Sequence, residues 1–168
     1  VALRFRGEST HKVDAKGRVS VPAPFRRVLE GVEGWAEGAP VPMVVVKNQD
    51  RRKCLNVYTT DEMAKIDDDV AALPRFAKER DALSALLAAG SDNLTLDDNG
   101  RFGLTAEMKA KANITDQAVF VGLIDSFQIW SPAEYAAHKA NMLEWLQAEP
   151  APDDLFVLMR AAQQKYLA

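Results

Sequence analysis

Cysteine is nearly absent from this chain. Cys54 stands alone, which excludes an intrachain disulfide and a cysteine-rich zinc site. Histidine is almost as scarce: His11 and His138 lie far apart, and neither sits in metal-ligand spacing. No apolar run nears the roughly 18 residues a membrane span needs, and the first residues lack the apolar core of a secretion signal. The expectation is a soluble protein of the reducing cytoplasm. Gly-rich phosphate loops, a nucleophile elbow and a Cys–His pair are all missing. Neither catalysis, nor a metal, nor a cofactor, nor a small-molecule substrate is therefore expected. An excess of positive charge is missing too. Lys and Arg number 21 against 24 Asp and Glu, a formal net charge of −3 over 168 residues. That argues against gripping nucleic acid by bulk charge, but not against concentrating cations on one face.

What the chain does have is a stretch that occurs twice. Val13-Asp14-Ala15-Lys16-Gly17-Arg18-Val19 returns as Leu96-Asp97-Asp98-Asn99-Gly100-Arg101-Phe102, 83 positions later (14 to 97). Each copy reads apolar, Asp, two polar or small residues, Gly, Arg, apolar. Asp14 and Asp97 suit turns by accepting backbone amides, and Gly17 and Gly100 suit them by taking positive φ. Strand-like residues flank both, so each copy predicts a β-hairpin. Short helices follow, opening near Pro24 and Ala106.

The rest of the pattern repeats as well. Met43 to Lys47 and Cys54 to Tyr58 read as strands, as do Ala118 to Ile124 and Phe127 to Trp130. Thr59-x-x-Glu62 and Ser131-x-x-Glu134 are capping boxes. Val57-Tyr58-Thr59 matches Ile129-Trp130-Ser131 at an offset of 72, and the loop Gly31 to Pro42 has no counterpart in the second copy. Met63, Ile66, Val70 and Leu73 predict one amphipathic helix. Phe76, Arg80, Leu83 and Leu87 predict another, with Gly90 as its cap. Asp153 is placed to cap a last helix from Leu155 to about Tyr166. The expected organisation is a first repeat over 8–61, a helical bridge over 62–90, a second repeat over 91–134 and C-terminal helices over 135–168. The fold class is α+β.

Two readings of the repeated turn stay open at this point. It is good hairpin chemistry, with Asp accepting amides and Arg pairing across the turn. It also displays cations. Between Val1 and Glu30 lie Arg4, Arg6, Lys12, Lys16, Arg18, Arg26 and Arg27 against Glu8, Asp14 and Glu30, a local charge of +4. Asn48 to Lys53 adds three cations against one acid, while acids gather at Asp61 to Asp69. Such segregation is a footprint for a polyanion. The second copy is the weaker cation source, because Asn99 replaces Lys16 and Asp98 is added. Trp35, Trp130 and Trp145 read as packing residues, and Cys54 as a small buried hydrophobe. Asp67 to Asp69 reads as a solvated helix face.

Phe5-Arg6-Gly7 followed by Val13 to Pro22 resembles the N-terminal signature of the MraZ family of transcriptional regulators, which are SpoVT/AbrB-like proteins. The resemblance extends over nearly the whole chain, since both Asp14/Arg18 and Asp97/Arg101 match the family's Asp-x-x-x-Arg motif. It implies two tandem AbrB-like swapped-hairpin β units in one chain, with connecting and C-terminal helices. It also implies a ring-shaped homo-oligomer, associated with the nucleoid, that binds double-stranded DNA at direct repeats in the promoter of a cell division and cell wall gene cluster. Repression is the implied default. The family's motif Arg carries over to Arg18 and Arg101, and Lys16, Lys12 and Arg6 join them as candidate DNA contacts. A single AbrB-like hairpin also occurs in antitoxin-type modules that bind a protein partner, which is the alternative reading.

Overall fold

The computed structural model describes residues 3–148 and 154–167. Two compact units divide the chain, Val1–Tyr135 and Ala136–Ala168. No helix among the described residues is long and apolar enough to cross a membrane.

The first unit opens with β1 (Glu8–Lys12), β2 (Arg18–Ser20), α1 (Ala23–Glu30), β3 (Pro42–Val46) and β4 (Cys54–Tyr58). A bridge follows: α2 (Thr60–Ala71), then α3 (Lys78–Leu83) running into a π-helical turn, Ser84–Ala88. The pattern then returns as β5 (Ser91–Thr95), β6 (Arg101–Gly103), α4 (Ala106–Ala112), β7 (Gln117–Gly122) and β8 (Phe127–Trp130). α5 (Pro132–Ala148) and α6 (Leu155–Tyr166) complete the chain.

The two halves share their strands. One antiparallel sheet has the order β1-β7-β8-β4-β3-β5, and β2 pairs with β6 in a separate two-stranded ribbon. The first strand of each half thus pairs with the third strand of the other. Glu8 to Lys12 runs against Val121 to Gln117, and Ser91 to Thr95 runs against Val46 to Pro42. The registers are equivalent, so an approximate two-fold relates the halves. It passes between Asn56 and Gln128, which face each other in the β4–β8 pair, and between Val19 and Phe102 in the ribbon.

This pairing departs from a simple hairpin. The turns do close: Gly17 N–H donates to Asp14 O at 2.9 Å, and Gly100 N–H to Asp97 O at 2.9 Å. The strands that each turn joins then part company, one to the sheet and one to the ribbon. The offset between halves falls from 83 at the turns to 75 at β3 and β7 (46 to 121) and 72 at β4 and β8 (56 to 128). The long loop after α1 accounts for most of that change. The shorter β7–β8 connection accounts for the rest.

The core lies between the sheet and a layer made of the ribbon, α1 and α4. Period-2 alternation turns Val19 and Phe102 inward, and 3.6 periodicity does the same for Phe25, Leu29, Met108 and Ala112. Phe5, Phe25, Phe120 and Phe127 form a ring cluster at its centre, with centroids 4.9–5.9 Å apart. On the sheet's other face, Met63 and Ile66 of α2 cover Val44 and Val46, and Tyr135 covers Val119, Val121 and Trp130.

Helix starts follow the capping boxes. Thr59 Oγ1 accepts from Glu62 N–H at 3.0 Å, and Ser131 Oγ from Glu134 N–H at 3.1 Å. Four local expectations differ from the structure. Phe76 lies outside α3 and is 95% exposed, because Pro74 opens a turn closed by Ala77 N–H to Pro74 O that postpones the helix to Lys78. Strand β7 stops at Gly122, and Ile124 takes φ +73° to bridge Phe5. Asp154 caps α6, its Oδ1 accepting from Phe156 N–H at 2.8 Å; Asp153 lies outside the described residues. Trp130 is buried, but Trp145 stands exposed among Met142 and Leu143 rather than packed.

Candidate nucleic-acid interface

The two repeated turns have the same internal geometry. Asp14 Oδ1 accepts from the Lys16 and Arg18 amides, both at 2.9 Å, and Oδ2 accepts from Arg18 Nε at 2.8 Å. Asp97 Oδ1 accepts from the Asn99 and Arg101 amides, both at 2.9 Å, and Oδ2 from Arg101 Nε at 3.2 Å. The Arg18 amide above all, then its side chain, holds the Asp14 carboxyl below the usual carboxylate range; the Arg101 amide does the same for Asp97. Each Asp therefore stays charged and fixes both a turn and an arginine. The pair engages only Nε, so the two Nη groups of each guanidinium fork lie outside it.

The ribbon brings the arginines together. Val19 and Phe102 face the core, so alternation sends Arg18, Ser20, Arg101 and Gly103 to the outer face. Arg18 lies opposite Gly103 and Arg101 opposite Ser20, a diagonal relationship of about 7–8 Å between Cα atoms. Their side chains are 40% and 31% exposed. Backbone bonds cross between the halves to fix this arrangement. Leu104 N–H donates to Gly17 O at 2.8 Å, and Val21 N–H to Gly100 O at 2.9 Å.

Gly17 and Gly100 adopt φ +81° and +73°, and each is roofed by a cation of the opposite half. A Cβ on Gly100 would lie 2.2 Å from Arg26 Nη1, and one on Gly17 would lie 3.0 Å from Lys109 Nζ. Arg26 Nη1 also donates to Val21 O at 3.0 Å. Arg26 and Lys109 occupy the same position of α1 and α4, 83 residues apart. The shared offset was visible in the sequence. Its consequence was not, because nothing in the periodicity says that each helix leans on the other turn.

The remaining candidates separate. Lys12 and Lys16 are exposed beside the first turn. Arg6 precedes β1, beyond Gly7 at φ +96°, at the opposite end of that strand from Lys12 and next to Gly122. The basic turn after β3 is largely neutralised in place. Arg52 pairs with Asp50 at 2.6 Å and Lys53 with Glu134 at 3.6 Å, while Lys111 Nζ donates to the Asp50 and Arg52 carbonyls. Lys47 is buried between Asp92 at 3.0 Å and Glu107 at 3.1 Å, and Asp92 first, then Glu107, raises its pKa. Cys54 is 1% exposed, and burial pushes its thiol up to about 11 despite nearby Arg52. Among the described residues no group of three or more His, Cys, Asp or Glu side chains could hold a metal ion.

Beside the second turn, the long loop leaves a cavity of about 560 Å³ lined by Glu30, Trp35, Glu37, Leu96, Asp97 and Asp98 among others. Its carboxylates give the second turn a more acidic flank than the first.

Comparison with known proteins meets this geometry. A family model described as "MraZ protein, putative antitoxin-like" matches residues 4–86 and again 87–155. The chain is 43% identical over 156 residues to a protein of Ruegeria pomeroyi named transcriptional regulator MraZ, covering 92% of this chain and 93% of the relative. A protein of the same name from Ruegeria sp. is 41% identical over 153 residues, with 90% and 89% covered. One from Cereibacter sphaeroides is 38% identical over 147 residues, with 83% and 87% covered. These relatives carry the name of a regulator, not of an enzyme. With both halves matched in tandem and the identity spread along nearly all of its length, the chain belongs to the MraZ family.

Proposed function

We propose that the protein is a transcriptional regulator that binds double-stranded DNA through the outer face of the β2–β6 ribbon. One observation carries this reading: Arg18 and Arg101, from different halves, stand on the same exposed face, each oriented by its own Asp. A two-stranded ribbon is one of the two elements that the major groove admits, and a guanidinium fork suits either guanine or phosphate. Lys16 adds charge at the first turn. Arg101 joins Arg18 in this reading, supported by its diagonal position on the ribbon despite its acidic neighbours.

The target is a set of direct repeats in the promoter of a cell division and cell wall gene cluster, and the default outcome is repression. One ribbon offers few cations, so tight binding requires several copies on tandem sites. Self-association into a ring provides them, with avidity of roughly 10²–10⁴. Exposed Leu155, Phe156, Val157 and Met159 on α6 support contact between copies. The protein then works in the cytoplasm, on the nucleoid.

A salt-series gel shift on tandem promoter repeats tests the reading. Arg18→Ala and Arg101→Ala each lower affinity about 10–100-fold, as the loss of one good base pair contact does. Equal binding by wild type and Arg18→Ala, or no preference for tandem over single repeats, overturns it.

A further inference from the structure

We propose that Lys109 is a phosphate-contacting residue of the first turn, supplied to it by the second half of the chain. The proposal rests on the DNA-binding reading above and adds a residue that belongs to neither Asp-x-x-x-Arg motif.

Helix α4 is rigidly placed. Thr105 Oγ1 caps it by accepting from Met108 N–H at 3.1 Å, and Met108 and Ala112 are buried. Between them, Lys109 crosses to the first turn and lies over Gly17, close enough that a Cβ there would meet both Nζ and Cε. The other two lysines beside this helix are spent. Lys47 is held by Asp92 and Glu107, and Lys111 by two backbone carbonyls. Among the described residues, no carboxylate lies within ion-pair distance of Lys109.

The first turn therefore gathers Lys16, Arg18 and Lys109, and its one carboxylate, Asp14, is already committed to Arg18 Nε and two amides. Three cations around one engaged carboxylate leave a local excess that a phosphate would neutralise. Lysine meets phosphate as a point charge on a flexible stem, not as a planar fork. Lys109 thus adds grip rather than sequence reading. The mirror arrangement, with Arg26 over Gly100, places a first-half cation at the second turn, where Asn99 stands in place of Lys16. A single half of the chain carries neither assembly.

Anisotropy titrations of a tandem-repeat duplex across a salt series test this. Lys109→Met keeps the apolar stem over Gly17 and removes only the charge. It is expected to lower affinity severalfold on specific and scrambled duplexes alike, and to reduce the salt slope by about 0.9, the share of one phosphate contact. Lys109→Arg restores both, and Lys109→Gln repeats the loss with a polar side chain. Far-UV circular dichroism of each variant keeps folding separate from binding. If folded Lys109→Met and Lys109→Gln bind with wild-type affinity and slope while Arg18→Ala is impaired, Lys109 merely roofs Gly17 and the proposal fails alone. If Arg18→Ala also binds like wild type, the DNA reading and this proposal fall together.

Discussion

Gln128 donates from Nε2 to Asn56 Oδ1 at 3.0 Å, and the two residues are counterparts of one another, 72 positions apart. Both are buried, at the point where the approximate two-fold crosses the sheet. Gln128 Oε1 also accepts from the Trp130 indole at 3.0 Å. One side chain thus satisfies a buried donor and a buried acceptor. Gln128→Leu removes the donor to the buried Asn56 Oδ1, at about 1–3 kcal/mol for an unsatisfied group. Asn56→Ala costs less, because Gln128 keeps its indole partner. Urea denaturation measures both. A Gln128→Leu variant as stable as wild type would show that the amide pair contributes nothing net.

Gly100→Ala is expected to destabilise in two separable ways. Its φ of +73° costs an L residue about 1–3 kcal/mol, and the new methyl would sit 2.2 Å from Arg26 Nη1. Adding Arg26→Ala removes the clash and leaves the backbone term. The double variant should therefore be more stable than the sum of the two single losses predicts. Simple additivity in thermal melts would mean that Arg26 does not rest on Gly100.

His11 gives the fold a pH dependence. Its ring packs edge-on against Phe120 with centroids 5.2 Å apart, its Nε2 lies 2.8 Å from Ser9 Oγ, and burial lowers its pKa below 6.5. The unfolded chain then binds more protons than the folded one between the two pKa values, so stability rises with pH across that window. The stabilisation is complete above pH 6.5 and is lost as pH falls through the folded pKa. Urea midpoints at pH 7.5 and 5.5 should differ for wild type and converge for His11→Gln. Asp14 and Asp97, also lowered, act in a further window below their usual 3.8 with the same sign. An unchanged pH difference in His11→Gln would assign the effect elsewhere.

Much of the site could be read in advance because its chemistry is local. The amides that Asp14 and Asp97 accept lie two and four residues away, and the Thr59 and Ser131 caps act over three. Alternation around Val19 and Phe102 likewise tells which face is buried. Partners across the chain are a different matter. Period 2 assigns a strand's faces but not its neighbour, so β1 beside β7 does not follow from pattern. Arg52 and Lys53 read as free cations until Asp50 and Glu134 are placed next to them. Arg26 and Lys109 look like solvent-facing helix residues until each is set against the opposite turn. Phe76 fits a helical stripe by spacing, yet Pro74 starts a turn that excludes it.

The exchange of first strands between halves also sets a clock. Lys12 meets Gln117 and Ser9 meets Phe120, contacts that span more than a hundred residues of chain. Such long closures slow the search for the native state. During synthesis at about 5–20 residues per second, β1 would wait on the order of 5–20 s before its partner exists. For that interval the nascent chain presents an unpaired strand edge, with a half-built core behind it. A chaperone, or a second nascent copy, has that long to reach the edge first.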